Sequence, residues 1–207
     1  MSKTLEICVA TNNDHKMGEL KAIFKDYNIK LYSLKDLNIV VDPEENGKTY
    51  AENAFIKASE VSKYTKLPVL SDDSGIEIDA LGKHLPGIYS HRFAVEHGGQ
   101  LKTNTLIVEN HSGSKAHFTA HFVLLNLEPN KRLDFEGIVN GKITDKINGE
   151  GGFGYDPIFI PEGYNCTIAA ISADEKNHIS HRYRAAINML NYLIEKKYLW
   201  FAWFSKN

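Results

Sequence analysis

The 207 residues suffice for one domain with a sizeable core, or one domain of two lobes, and 43% hydrophobic with 24% charged residues is the balance of a soluble globular protein. A formal net charge of −2 supplies no overall cationic field. That argues against bulk attraction to DNA, RNA or an anionic membrane, and leaves any phosphate-bearing partner to a few local cations.

Cys8 and Cys166 stand alone, with no C-x-x-C spacing, so neither a disulfide framework nor a zinc site is indicated. The start, "MSKTLEICVAT", lacks the apolar core of a signal peptide, and no apolar run approaches the roughly 20 residues needed to cross a bilayer. A cytoplasmic location without a membrane partner is the expectation.

In chain order, "LEICVAT" (5–11) is a short β-branched apolar run that reads as a buried strand. It breaks at "NNDHK", after which Leu20, Ile23 and Phe24 recur at helical spacing, with Asn or Asp available as the N-cap. "NIKLYSL" and "LNIVVD" read as a strand and its continuation. "TYAENAFIKASEVSKYT" predicts a helix, with Ala54, Ala58 and Val61 on one stripe and Thr49 with Glu52 as a capping box. "PVLSDDSGIEID" reads as strand, acidic turn, strand. Along 116–127, Phe118, Ala120, Phe122 and Leu124 alternate with His117, Thr119 and His121, a strand pattern. "RLDFEGIVNGKIT" reads as further antiparallel strand with a Gly turn. Ser172 and Glu175 form a second capping box, and the following helix carries Ile179, Tyr183, Ile187, Leu190 and Ile194 on one stripe. No repeats or long linkers split the chain. The expectation is one α/β domain over 1–207 with a mixed sheet, ending in an aromatic extension at 198–207.

Three stretches carry chemistry. "TNNDHK" (11–16) sits at a strand end and helix start, where orphan N–H groups and the helix dipole favour an anion. Thr11, Asn13 and Lys16 add donors and one positive charge; the plainer alternative is a capped turn with a surface lysine. "DPEENG" (42–47) and "SDDSG" (71–75) are acidic. Asp72 and Asp73 repel one another unless a cation neutralises them, and carboxylate oxygens without His or Cys point to Mg²⁺ or Mn²⁺. The alternative is an ordinary Asp-Asp-Ser-Gly turn. "GEGGFGYDPIF" (149–159) has glycines that let a ligand approach the backbone, with Phe153 and Tyr155 available for stacking on a base and Asp156 as an acceptor. Its alternative is a hairpin loop with buried aromatics. Together an acidic pair, an anion-binding turn and a stacking loop describe a nucleotide.

"EKNHISHR" (175–182) adds cations. At roughly 100° per residue, Lys176 lies on the Ile179/Ile187 azimuth and His181 almost opposite. Either His181 faces solvent or the helix is not regular across 176–181. His117 and His121 have H-x-x-x-H spacing, but on a strand they stand roughly 13 Å apart, too far for one ion. They are expected to form a solvated or subunit-facing row.

With these residues assembled, the sequence resembles the inosine triphosphate pyrophosphatase family. The resemblance spans most of the chain, through "VATNNDHKMGEL", "GKTYAENAFIKA", "LSDDSGIEIDALGKHLPGIYSHRF", "GEGGFGYDPIFIPEG" and "EKNHISHRYRA". It implies Mg²⁺-dependent hydrolysis of ITP, dITP and XTP to monophosphate and pyrophosphate, which cleanses the nucleotide pool. It also implies a long mixed β-sheet flanked by helices, with two lobes, a central cleft and a homodimer. By position, Thr11, Asn12, Asn13 and Lys16 match the block that grips the triphosphate. Glu45, Asp72 and Asp73 match the metal-binding acids, with Glu44 a secondary metal candidate and Asp73 the base for the attacking water. Ser74 matches a substrate contact. Phe153, Gly154, Tyr155 and Asp156 match the nucleoside loop, and Lys176, His181 and Arg182 match donors around the purine edge and phosphates. Arg182 is the expected reader of the purine 6-keto oxygen. The first block departs from the family's usual Thr-Gly-Asn at Asn12. The rivals are a pyrophosphatase of other nucleoside triphosphates and a nucleotide-binding module without turnover.

Overall fold

A computed structural model describes residues 4–199. Among these residues, six strands form one mixed sheet in the order β2-β1-β3-β4-β5-β6. The strands are β1 (Leu5–Val9), β2 (Ile29–Tyr32), β3 (Val69–Ile78), β4 (Lys115–Leu125), β5 (Arg132–Ile143) and β6 (Phe159–Pro161). β1 pairs in parallel with β2 and β3, and β5 pairs antiparallel with β6. The helices are α1 (Asp14–Phe24), α2 (Tyr50–Val61), α3 (Ser90–Glu96), α4 (Gln100–His111), α5 (Ala173–Ile179) and α6 (His181–Glu195). Among the described residues no helix is long and apolar enough to cross a membrane. The aromatic extension from residue 200 onward lies outside the described residues.

The capping signals form as the sequence implies. Asn13 Oδ1 accepts from the His15 and Lys16 N–H groups at 2.9 and 3.1 Å, starting α1. Thr49 Oγ1 accepts from Glu52 N–H, while the Glu52 carboxylate accepts from Lys48 N–H, starting α2. Ser172 Oγ accepts from Glu175 N–H and starts α5.

The described residues of Met1–Asp73, His121–Gly137 and Arg182–Asn207 form one compact unit. Its core includes Cys8, Leu34, Ala54, Ala58, Val61 and Val123. Ser74–Ala120 and Ile138–His181 form the other unit, with a core that includes Ile76, Phe118, Ile143, Tyr155 and Phe159.

Several readings are corrected. β3 runs unbroken through "SDDSG". Gly75 is there because a Cβ would overlap the Gly87 carbonyl and the Ser90 hydroxyl, a demand of close approach rather than of a turn. Gly141 lies inside β5 for the same reason, against the Ile160 carbonyl. "LNIVVD" does not continue β2: Asn38 turns with φ 54°, although Leu34 and Ile39 are buried. His117 and His121 are half-buried and face carboxylates, Glu77 at 3.7 Å and Asp134 at 2.9 Å respectively.

The C-terminal helix is two helices. Ser180, at φ −66° and ψ 158°, is extended and separates α5 from α6. Ile179 is therefore out of phase with α6, whose buried stripe is Arg182, Ala185, Ala186, Met189, Leu190 and Leu193. The break also settles His181, which is 3% exposed instead of facing water.

Candidate active site

In the first unit, β1 and the capped start of α1 bring Lys16 to the strand that carries two adjacent acids. Asp72 Oδ2 accepts from Arg182 Nε at 2.8 Å and pairs with Lys16 Nζ at 3.2 Å. Arg182 Nη1 donates to Glu19 Oε2 at 2.9 Å. Asp73 Oδ1 pairs with Lys57 Nζ at 3.2 Å, and the same ammonium reaches Glu45 Oε2 at 3.2 Å. Lys57 projects from α2 one position before buried Ala58 and three after buried Ala54.

This packing separates the two acids electrically. Burial works against the charge on Asp72, but Lys16, Arg182 and Lys57 outweigh it and hold the carboxyl well below the usual range. Burial pushes Asp73 up, Lys57 and Lys16 oppose that, and Glu45 and Asp72 add to the rise. Lys16 is lowered by burial, with Asp72 opposing. Lys57 is raised despite burial, because Asp73, Glu45 and Asp72 surround it. Neighbouring carboxyls pushed in opposite directions are the pattern expected of a site that needs one permanent anion and one proton acceptor.

Glu45, Asp72 and Asp73 do not converge on one point; among the described residues no three His, Cys, Asp or Glu side chains do. Lys57 stands between Glu45 and Asp73, and Lys16 with Arg182 stands against Asp72. Yet Asp72 Oδ1 and Asp73 Oδ2 are buried with no hydrogen-bond partner among the described residues. Two orphaned hard oxygen donors suit Mg²⁺ or Mn²⁺.

The turn at 11–16 is occupied by its own cap. Asn13 Oδ1 accepts from the His15 and Lys16 N–H groups, Thr11 Oγ1 accepts from Asn13 N–H, and Asn12 Nδ2 donates to the Val41 carbonyl at 3.1 Å. Asn12 does not take a positive φ, so replacing the family's usual glycine strains nothing here. Ser74 follows Asp73 on β3 and is half-buried.

In the second unit, the glycine-rich loop wraps Asp156. Its Oδ2 accepts from Phe153 N–H at 2.8 Å and from Lys176 Nζ at 2.7 Å. A Cβ on Gly152, at φ 73°, would overlap that same oxygen. Lys176 also lies over the Phe153 ring, 5.3 Å from its centroid. Tyr155 does not present its ring for stacking: it is in the core, and its hydroxyl donates to the Ser90 carbonyl at 2.7 Å. Half-buried Phe153 is the ring at the surface of this loop. His181 stacks on Phe118 with ring centroids 4.8 Å apart and planes 9° from parallel. Arg182, the donor expected to read the purine, has a side chain 3% exposed that grips Asp72 and Glu19.

Sequence reasoning did not single out Lys57 or Glu19. Lys57 carried a visible signal, a lysine beside the apolar stripe of α2.

The Ham1 family model matches residues 7–192. The chain belongs to the Ham1 family. A Clostridium perfringens relative named dITP/XTP pyrophosphatase is 42% identical over 188 residues, covering 86% of this chain and 91% of that protein. One of the same name from Aquifex aeolicus is 38% identical, covering 91% and 96%. Among solved structures, a Ham1 protein from Coxiella burnetii superposes with a TM-score of 0.80 at 35% identity, covering 92% of this chain and 99% of that one. The Staphylococcus aureus Ham1 protein gives 0.78 at 35% identity, covering 93% and 99%. The mixed-sheet α/β fold is that of Ham1 structures.

Proposed function

We infer that this Ham1 protein hydrolyses non-canonical purine nucleoside triphosphates, dITP and XTP with ITP, to the monophosphate and pyrophosphate. The observation that carries the chemistry is the Asp72–Asp73 pair on β3, each acid keeping one buried oxygen without a donor.

In this reading Asp73 takes the proton of the attacking water. Lys57 reaches Oδ1 of this carboxylate, and Oδ2 is the oxygen left for the water's proton. Asp72 stays ionised, held by Lys16 and Arg182. Glu45, Asp72 and Asp73 would hold Mg²⁺, which supplies neutralisation of phosphate charge. Binding it requires the Lys57 ammonium to yield part of its contact with Glu45 and Asp73. Thr11, Asn12, Asn13, Lys16 and Ser74 engage the phosphates. Phe153, Gly154, Tyr155 and Asp156 receive the nucleoside, Phe153 through its ring and the others through backbone they hold in place. Lys176 and His181 lie toward the purine edge. The family resemblance further supports a cytoplasmic location and a homodimer; sedimentation would check the dimer.

Hydrolysis in ¹⁸O-labelled water with Mg²⁺ tests the reaction. Attack at the α-phosphorus places the label in the monophosphate. Label in pyrophosphate, or release of orthophosphate, would refute it.

A further inference from the structure

The nucleoside loop is held from outside by a helix that has no other part in the site described above. Asn104, on α4 and 3% exposed, donates through Nδ2 to the Gly154 carbonyl at 2.9 Å, 50 residues along the chain. By shape alone the Asn104 amide could face either way. Gln100 Nε2, one turn earlier on the same helix face, donates to Asn104 Oδ1 at 2.9 Å and so turns the Asn104 NH₂ toward the loop.

Gly154 is the residue that most needs such a restraint. It sits at φ 64°, and a Cβ there would meet no atom within 4 Å, so side-chain packing does not fix it. Phe153 on one side is tied to Asp156, and Tyr155 on the other is anchored in the core. Between them the bond from Asn104 sets the 154–155 peptide plane. A trans peptide is planar, so fixing the Gly154 carbonyl also directs the Tyr155 N–H to the opposite side.

We propose that Asn104, oriented by Gln100, is a positioning residue for nucleoside recognition: it sets the 154–155 peptide plane of the loop that receives the purine nucleoside. This rests on the reading of 153–156 as the nucleoside loop. Asn104 touches no substrate and acts through the backbone it holds.

Asn104→Asp keeps the shape and still accepts from Gln100, but a carboxylate cannot donate to the Gly154 carbonyl and repels it. The expected result is a KM for dITP raised about tenfold with kcat within about threefold of wild type. Inhibition by inorganic tripolyphosphate, which offers phosphates and no base, should be unchanged. Gln100→Ala should move KM in the same direction by less, and carries the test by the same criteria if Asn104→Asp fails to fold. A wild-type KM in an active Asn104→Asp protein would overturn the proposal alone, as would equal losses in kcat and tripolyphosphate affinity, which indicate general disruption. A wild-type protein inert toward dITP would overturn the site reading and this proposal with it.

Discussion

Arg182 Nε donates to Asp72 Oδ2 at 2.8 Å, with both side chains no more than 3% exposed. Arg182→Met removes a buried charge-assisted hydrogen bond from Asp72 and leaves Lys16 as its remaining close cation, so it should cost about 2–3 kcal/mol of stability in urea unfolding. Asp72→Asn in the same chain should recover part of that loss. The dITP-to-dATP preference should change less than stability does. A stable Arg182→Met protein with collapsed preference would instead make Arg182 the reader of the base.

The same pair fixes an acid dependence in metal-free protein. Burial opposes the charge on Asp72, and Lys16, Arg182 and Lys57 more than offset it, so the folded pKa lies below the unfolded value. Its contribution is complete above the unfolded carboxylate value of about 3.9 and is lost as pH falls through the folded value. Urea midpoints with EDTA, followed downward from pH 6, should fall less steeply for Asp72→Asn than for wild type. Parallel curves would mean Asp72 is not the group responsible.

Much of this was legible in sequence, and the misses have physical causes. Caps at Asn13, Thr49 and Ser172 are local hydrogen bonds between near neighbours, so they could be read directly. Gly75 and the glycines of "RLDFEGIVNGKIT" suggest turns in sequence because a glycine's spacing looks the same whether it bends the chain or admits a crossing carbonyl. The Ser180 break was implied by the conflicting azimuths of Lys176 and His181, but choosing it required knowing that His181 is buried. Tyr155 looked like Phe153's twin until its hydroxyl found Ser90, 65 residues away. Partners of that kind, including Asn104 with Gly154, leave no short-range pattern.

Asp73→Asn keeps the size of the side chain and removes the proton acceptor. Turnover of dITP should fall about 10²–10⁴-fold, the usual worth of a general base, with KM little changed. Steady-state kinetics on the variant decide it, and near wild-type kcat would take Asp73 out of the proton transfer.

Gly152→Ala places a Cβ against Asp156 Oδ2 and close to Lys176 Nζ at a φ of 73°. The strain should cost about 1–3 kcal/mol and loosen the contact of Asp156 with Phe153 N–H. KM for dITP should rise more than kcat falls. An unaltered KM with full stability would mean the loop accommodates the methyl and does not depend on this geometry.

The most direct measurement is pyrophosphate release from dITP, XTP, dATP and dGTP, side by side with Mg²⁺. The expected result is kcat/KM for dITP and XTP at least about a hundredfold above that for dATP and dGTP, with the monophosphate as co-product. Comparable turnover of all four, or none of any, would contradict a pyrophosphatase selective for non-canonical purines.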